Sequence, residues 1–120
     1  MKRPNQILGS WGEKKAAKYL SKKGYRIIER NIHTPYGEID LIARHNSYLV
    51  FVEVKTRSSL TFGLPEEAIT QRKRENMLAS AQAYLQEQSD LDCNWRIDVI
   101  AVQKETNQYK ITHFENAITG

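Results

Sequence analysis

The sequence contains a single cysteine, Cys93, among its 120 residues. One cysteine excludes a disulfide within the chain and a zinc site built from cysteines. No segment approaches the roughly 18 consecutive apolar residues of a membrane-spanning helix, and the first residues lack the apolar stretch of a signal peptide. We therefore expect a soluble, cytoplasmic protein that has no membrane partner.

The sequence has no internal repeats, no low-complexity stretch and no linker, and a chain of this length predicts one domain, 1–120. Such a domain buries roughly two-thirds of the surface that its unfolded chain exposes. The three histidines, His33, His45 and His113, show no metal-ligand spacing. The 18 Lys and Arg residues outnumber the 14 Asp and Glu residues, for a net charge of +4. This mild excess favours polyanions such as nucleic acid.

Hydrophobic periodicity and turn residues predict seven elements in the order α-β-β-β-α-β-β. Gly24 is expected to end the first helix, and Thr70 is expected to cap the second. The predicted elements are a helix over 6–23, strands over 25–32, 37–43 and 49–55, a helix over 71–88, and strands over 95–102 and 108–114, with a loop over 58–65.

Two of these strands, 37–43 and 49–55, carry charged residues among apolar and β-branched ones. Because side chains alternate between the two faces of a strand, the pattern predicts one apolar face shared by both strands. That face comprises Ile39, Leu41, Ala43, Val50, Val52 and Val54. The opposite face carries Glu38, Asp40, Glu53 and Lys55. Burying charges costs free energy, so such a cluster indicates a functional site.

A tight turn at 46–47 would pair the two strands, since Asn tolerates the left-handed conformation that such turns need. In that register Asp40 lies opposite Glu53, and Glu38 lies opposite Lys55. Directly opposed residues have Cβ atoms roughly 4.5–5.5 Å apart. Two carboxylates at that range repel each other unless a proton or a cation lies between them. Mg²⁺ or Mn²⁺, which prefer oxygen ligands, would remove the repulsion.

Longer strings in the sequence are more specific than this pair of acids. They are GEIDLIA at 37–43, FVEVKTR at 51–57 and RIDVIAV at 96–102, together with Gly12-Glu13, Ala16-Ala17, Asn31, Phe62-Gly63 and Lys73. In these strings and their order the chain resembles the YraN-like family of predicted endonucleases. That family is similar to archaeal Holliday junction resolvases within the PD-(D/E)XK nuclease superfamily. The resemblance covers nearly the whole chain.

The resemblance implies an α/β fold with a restriction-endonuclease-like core, in which helices flank a mixed β-sheet. It also implies a Mg²⁺- or Mn²⁺-dependent endodeoxyribonuclease that binds one or two ions. Asp40 would be the first metal ligand, Glu53 the second and Lys55 the catalytic lysine, with the backbone carbonyl of Val54 as a further ligand. The chain departs from the literal signature because Ile39, rather than proline, precedes Asp40.

Two further acids have a functional and an ordinary interpretation. Glu13 either joins the active site, as a helix glutamate does in the resolvase-like relatives, or is a solvated glutamate on a closely packed helix. Glu38 is either an acid that supports the site from outside or the ion-pair partner of Lys55. Likewise, Glu53 and Lys55 could form an ordinary surface ion pair, which contributes only about 0–1 kcal/mol. Asp40 and the flanking strings favour the functional interpretation.

Basic and hydroxyl residues near the proposed site are candidates for binding nucleic acid. Thr56, Arg57 and Ser58 follow the proposed catalytic lysine and could bind the phosphates beside the scissile bond. Arg72 and Lys73 lie in the first turn of the second predicted helix, where anions are favoured. The first helix carries a lysine stripe at i, i+4 spacing that consists of Lys14, Lys18 and Lys22. Such a stripe is typical of a solvated helix face.

The remaining residues of interest are interpreted structurally. Arg96 and Asp98 are expected to support the site from a neighbouring strand. Trp11, Tyr36 and Trp95 carry faces on which bases could stack, but packing is the favoured interpretation for each.

The sequence thus favours a metal-dependent endonuclease that hydrolyses phosphodiester bonds of DNA, with branched or structured DNA as the substrate suggested by the resolvase similarity. The alternative is a nucleic-acid-binding module that keeps the fold without appreciable turnover. A third, weaker option is a structural subunit that dimerises through its sheet. A homodimer would also suit an enzyme that cuts two strands symmetrically.

Overall fold

The computed structural model describes residues 3–58, 69–88 and 93–119. Its elements follow the predicted order, and their ends lie within a few residues of the predicted ones. They are α1 (Pro4–Lys22), β1 (Arg26–Thr34), β2 (Gly37–His45), β3 (Tyr48–Ser58), α2 (Gln71–Glu87), β4 (Asn94–Lys104) and β5 (Tyr109–Ile118). The predicted loop over 58–65 and the Phe62-Gly63 motif lie outside the described residues, except for Ser58, which ends β3. Neither described helix combines the length and apolar character needed to cross a membrane.

The five strands form one mixed sheet in the order β1-β2-β3-β4-β5. Strands β3 and β4 are parallel, and the other neighbours are antiparallel. A parallel pair needs a long connection, and here that connection contains α2. These features confirm the predicted mixed α/β architecture.

Local signals in the sequence set the ends of several elements as expected. Thr70 caps α2, because its side-chain oxygen accepts a hydrogen bond from the Lys73 N–H at 3.1 Å. Gly24 follows α1 with a φ of +91°, which its missing side chain permits. Asn46 has a φ of +55° in the turn between β2 and β3. That turn gives the predicted register, in which Leu41 pairs with Val52.

The prediction of a single apolar face on β2 and β3 is wrong, because both faces of the sheet are buried. Helix α1 covers one face and α2 covers the other, as expected when a helix connects two parallel strands. Beneath α1 lie Leu41, Ala43, Val50, Val52, Ile100 and Val102. Beneath α2 lie Ile39, Ile42, Leu49, Phe51, Ile97 and Val99.

Ile39 is the particular exception to the predicted alternation. It packs beneath α2, whereas Leu41 packs beneath α1. Strand β1 pairs Arg30 with Leu41 and Ile32 with Ile39, and the intervening Asn31 has a φ of +52°. A left-handed residue inside a strand interrupts the two-residue period. The side chains of β2 therefore change faces at Asp40, beside this irregularity.

Candidate active site

Asp40 connects β2 to β3 through its side chain. Its Oδ2 accepts a hydrogen bond from the backbone N–H of Val54 at 2.8 Å. The described pairing of the two strands runs from His45–Tyr48 to Leu41–Val52. The expected direct pairs Asp40–Glu53 and Glu38–Lys55 therefore lie beyond the described pairing of β2 with β3. At this point the backbone N–H of Val54 is bound by the Asp40 carboxylate.

The Glu53 side chain extends from β3 towards α2. It is nearly fully buried, and its Oε1 lies 3.1 Å from Lys73 Nζ of α2. Lys73 was predicted as a phosphate-binding residue; in the structure it forms an ion pair with Glu53. Among the described residues, Lys55 has no carboxylate within ion-pair distance. The interpretation of Glu53 and Lys55 as a surface ion pair therefore does not describe this site.

The pKa of Asp40 reflects its burial and the negative charges around it. Burial raises the pKa of Asp40 most, and the neighbouring carboxylates of Glu53, Glu13 and Glu38 raise it further. The hydrogen bond from the Val54 N–H opposes these effects, but the pKa is still raised to about 8. A carboxyl group held in this way gains strongly from a nearby cation.

Lys55, which also lies in this cluster of charges, has a pKa below its ordinary value. Burial lowers the pKa of Lys55 most, and the positive charges of Lys73 and Arg57 lower it further. Glu53 and Asp40 act in the opposite direction. The ammonium therefore lies in a partly desolvated position between acids and cations, where an electrostatic interaction with a phosphate is stronger than in water.

Glu13 and Glu38 are connected by Asn31. With its amide nitrogen directed towards the two acids, Asn31 donates hydrogen bonds to Glu38 Oε1 at 2.8 Å and to Glu13 Oε1 at 3.0 Å. Glu38 also lies 3.9 Å from His33 Nδ1. The sequence motif included Asn31 without giving it a role. A polar residue that tolerates positive φ, placed inside a strand, is the signal that could have identified it.

Close packing of α1 on β3 brings Glu13 to the site. A Cβ added at Gly12 would collide with the Thr56 hydroxyl and lie 2.9 Å from Thr56 Cβ. Any larger residue at position 12 would therefore move the helix away from the strand. Gly9, one turn earlier in α1, has no atom within 4 Å of an added Cβ. Within α1, the requirement for glycine is thus specific to position 12.

These residues surround an open cleft of about 500 Å³ between α1 and β3. The lining residues are Leu8, Gly9, Glu13, Asp40, Glu53, Val54, Lys55, Thr56, Arg57 and Ser58. The structure thus brings eight of the predicted site residues into one cleft. Its walls combine acids, a lysine, an arginine and hydroxyl groups.

Four other predicted residues lie elsewhere. Arg72 is exposed in the first turn of α2, and Glu38 is connected to Glu13 of the cleft through Asn31. Arg96 and Asp98 form a separate buried network, in which Arg96 Nε donates to Asp98 Oδ1 at 3.0 Å. Neither residue lines the cleft.

The donor atoms in the cleft fit a hard divalent cation. The part of the chain that the structure describes contains no group of three or more His, Cys, Asp or Glu side chains arranged to hold a metal ion. Mg²⁺, however, is commonly held by one or two carboxylates, with water and substrate phosphates supplying the other ligands. Asp40 and Glu53 provide two carboxylates, and the raised pKa of Asp40 gives a physical reason for a cation to bind there.

The fold and the cleft together define a class of α/β protein. Its mixed sheet is covered by one helix on each face, and a cleft lined by both acidic and basic residues lies beside the sheet. The chain belongs to the uncharacterised protein family UPF0102, whose sequence profile matches residues 12–102. This is the YraN-like family of predicted endonucleases, so the resemblance inferred from the motifs is confirmed. The matched segment contains Glu13, Asp40, Glu53 and Lys55.

Individual relatives match over most of their length. A UPF0102 protein of Syntrophomonas wolfei is 49% identical over 113 residues, which cover 94% of this chain and 98% of the relative. One from Alkaliphilus oremlandii is 48% identical over 115 residues, covering 94% of this chain and 98% of the relative. One from Syntrophotalea carbinolica is 46% identical over 110 residues, covering 92% and 89%.

Proposed function

We propose that this protein is a metal-dependent endonuclease that hydrolyses phosphodiester bonds of DNA. The observation that carries the proposal is that Asp40, Glu53 and Lys55 line one cleft. Burial, followed by the neighbouring carboxylate of Glu53, raises the pKa of Asp40 to about 8. Acids that faced a polyanion without a cation would repel it. Binding alone therefore gives no reason for this arrangement, whereas metal-assisted hydrolysis does.

Asp40 and Glu53 would hold Mg²⁺ or Mn²⁺, with the backbone carbonyl of Val54 as a further oxygen donor. When bound, the metal lowers the pKa of a bound water and neutralises charge on the phosphate. The Val54 N–H fixes the direction of the Asp40 carboxylate. Lys73 fixes one oxygen of Glu53 and partly balances its charge. Both acids are thus oriented by other parts of the fold before substrate arrives.

Lys55 would stabilise the negative charge that develops on the phosphate oxygens, or orient the attacking water. Thr56, Arg57 and Ser58 continue along the same wall of the cleft. Their hydroxyls and guanidinium would bind phosphates on either side of the scissile bond. Glu13 reaches the cleft from α1, where its carboxylate could accept a proton from water or add to the metal site.

Branched or structured DNA is the substrate class that we propose, from the similarity to Holliday junction resolvases. The test is a panel of linear, single-stranded, flapped and four-way DNA, together with RNA, incubated with Mg²⁺, Mn²⁺ or EDTA. We expect metal-dependent cleavage by the wild-type protein and none by Asp40→Asn prepared in parallel. Binding without cleavage in every metal would instead support the nucleic-acid-binding module.

A second readout tests the metal separately from catalysis. A ligand that binds only the folded state raises the melting temperature with its concentration. Mn²⁺ should therefore raise the melting temperature of the wild-type protein, and this increase should shrink in Asp40→Asn and in Glu53→Gln. An equal increase in all three proteins would place the metal outside the cleft.

A further inference from the structure

A second charged surface borders the cleft and consists of Trp11, Lys15, Lys104 and Tyr109; we call it the aromatic–lysine patch. The rings of Trp11 and Tyr109 meet edge to face, with centroids 5.5 Å apart. Lys15 Nζ lies 5.0 Å from the Tyr109 centroid and 5.9 Å from that of Trp11. Lys104 Nζ lies 5.6 Å from the Trp11 centroid. The two ammonium groups thus share one pair of rings.

The lysines of the patch keep their positive charge available. Within the described residues, neither Lys15 nor Lys104 forms an ion pair with a carboxylate. The acid nearest to Lys104 along the chain is Glu105, whose carboxylate accepts a hydrogen bond from Gln108 Nε2 at 2.9 Å. An aromatic ring attracts an ammonium group without neutralising it. The rings therefore position two cations that can still bind an anion.

The patch is continuous with the cleft on both the sheet and the helix. Lys104 of β4 pairs with Ser58 of β3, which lines the cleft, and neighbouring strands lie about 4.8 Å apart. On α1, Trp11 lies three residues after Leu8, which lines the cleft, and residues at that spacing are neighbours on a helix surface. A polyanion that leaves the cleft over the end of β3 therefore reaches the patch next.

The presence of charged groups in both the cleft and the neighbouring patch suits a polymer. A small anion would be bound by the cleft or the patch alone, whereas a chain of phosphates can contact both in succession. Arg57 and Ser58 at the edge of the cleft and the two lysines of the patch form such a succession.

We propose that the aromatic–lysine patch binds the phosphate backbone of the DNA segment that flanks the scissile bond. This inference rests on the proposed function and extends it, because it places the flanking DNA over β4 and β5. The protein then contacts more of its substrate than the cleft can cover. DNA that ends at the cleft should bind more weakly than DNA that continues across the patch.

The test compares two double variants that remove the same charge. Lys15→Ala with Lys104→Ala changes the patch, and Lys18→Ala with Lys22→Ala changes two exposed lysines of α1 as the matched control. Binding of fluorescent DNA is measured with Mn²⁺ over a range of salt concentrations, in proteins that also carry Lys55→Ala to slow cleavage. Each phosphate contact that is lost should make the dependence of log affinity on log salt less steep by about 1.

Because the patch variant lacks two lysines, we expect its plot of log affinity against log salt to be less steep by about 2. The control should keep the slope of the protein without these lysine changes. Replacing both patch lysines by arginine should retain binding, because the charges remain. Equal weakening in the patch variant and the control, or no weakening in either, would overturn the inference while leaving the nuclease proposal intact. A protein that keeps both patch lysines but binds no DNA in the presence of Mn²⁺ would overturn both.

Discussion

The Asp40 carboxylate accepts a hydrogen bond from the backbone N–H of Val54 at 2.8 Å. Val54 lies between Glu53 and Lys55, so an acid on β2 is fixed directly to the part of β3 that carries the other two proposed catalytic residues. The position of Asp40 relative to Glu53 is therefore set by the backbone as well as by side-chain packing. This bond also limits how far the two acids can separate to relieve their repulsion.

Replacing Lys55 by alanine should reduce cleavage by about 10²–10³-fold, because removing one group that stabilises transition-state charge typically costs that much. The measurement is single-turnover cleavage with Mn²⁺, beside circular dichroism of the same preparation. Lys22→Ala is the control, since Lys22 is exposed in the last turn of α1. Unchanged cleavage would remove Lys55 from the mechanism, and an unfolded variant would make it structural.

Replacing Asp40 by asparagine should stabilise the metal-free protein at high pH. Burial and neighbouring acids raise the folded pKa of Asp40 to about 8, while an unfolded aspartate titrates near about 3.9. Ionisation of Asp40 therefore costs stability as the pH rises from the unfolded value through the folded one. Between these values the wild-type protein should lose stability steadily, relative to the variant, as the pH rises.

Urea unfolding in EDTA at pH 5 and pH 8 measures this difference. The two proteins should be closer in stability at pH 5, and the variant should be the more stable at pH 8. A difference that does not change with pH would contradict the crowding of acids from which we argue for a metal.

Replacing Gly12 by alanine should destabilise the protein by about 1–3 kcal/mol, because overpacking forces neighbouring atoms to move. The added Cβ would collide with the Thr56 side chain. Gly9→Ala is the matched control in the same helix, where the added Cβ meets no atom within 4 Å. There alanine should stabilise the helix by up to about 1 kcal/mol.

Chemical denaturation of both glycine variants provides the test. Adding Thr56→Ala to Gly12→Ala should restore part of the lost stability, since part of the obstruction is removed. Equal effects of alanine at positions 9 and 12 would show that α1 does not depend on this close approach.

Replacing Asp98 by alanine should destabilise the protein by about 3–5 kcal/mol, the usual cost of breaking a buried ion pair. Asp98 is fully buried and contacts Arg96 Nε at 3.0 Å, His113 Nε2 at 2.8 Å and the Asn116 N–H at 2.9 Å. Its loss would leave the partly buried Arg96 guanidinium without its carboxylate.

This network also predicts a pH dependence. Burial favours a higher pKa for Asp98, but the hydrogen bonds from His113, Arg96 and the Asn116 N–H outweigh it and lower the pKa. The stabilisation by Asp98 is therefore present above the unfolded pKa of about 3.9 and is lost as the pH falls through the lower folded value. The stability difference between the wild-type protein and Asp98→Ala should shrink below about pH 4; a constant difference would contradict an ionised Asp98.

Much of the architecture follows from local signals in the sequence. The element order, the turn at Asn46, the cap at Thr70 and the register of Leu41 with Val52 were all predicted. Each depends on residues that are close in the chain, or on the two-residue period of a strand. The motifs also predicted which acids and which lysine meet in the cleft, because they lie on adjacent strands with a short turn between them.

The contacts between layers could not be predicted in the same way. Sequence spacing does not determine which helix residue reaches a given strand residue, so the ion pair of Lys73 with Glu53 was missed. The same limit applies to Asn31, which joins Glu13 of α1 to Glu38 of β2. The predicted face of Ile39 was wrong, since Ile39 packs beneath α2 and Leu41 beneath α1. This change of face lies beside Asn31 of β1, whose φ is positive.

The cleft takes charged groups from three separately formed parts of the molecule: Glu13 from α1, Asp40 and Lys55 from the sheet, and Lys73 from α2, which holds Glu53. During synthesis or refolding, a chain in which either helix is undocked lacks some of these groups or their orientation. An intermediate with only the sheet formed would therefore be a poor catalyst. For the proposed endonuclease, this arrangement means that the site is complete only when both helices are docked on the sheet.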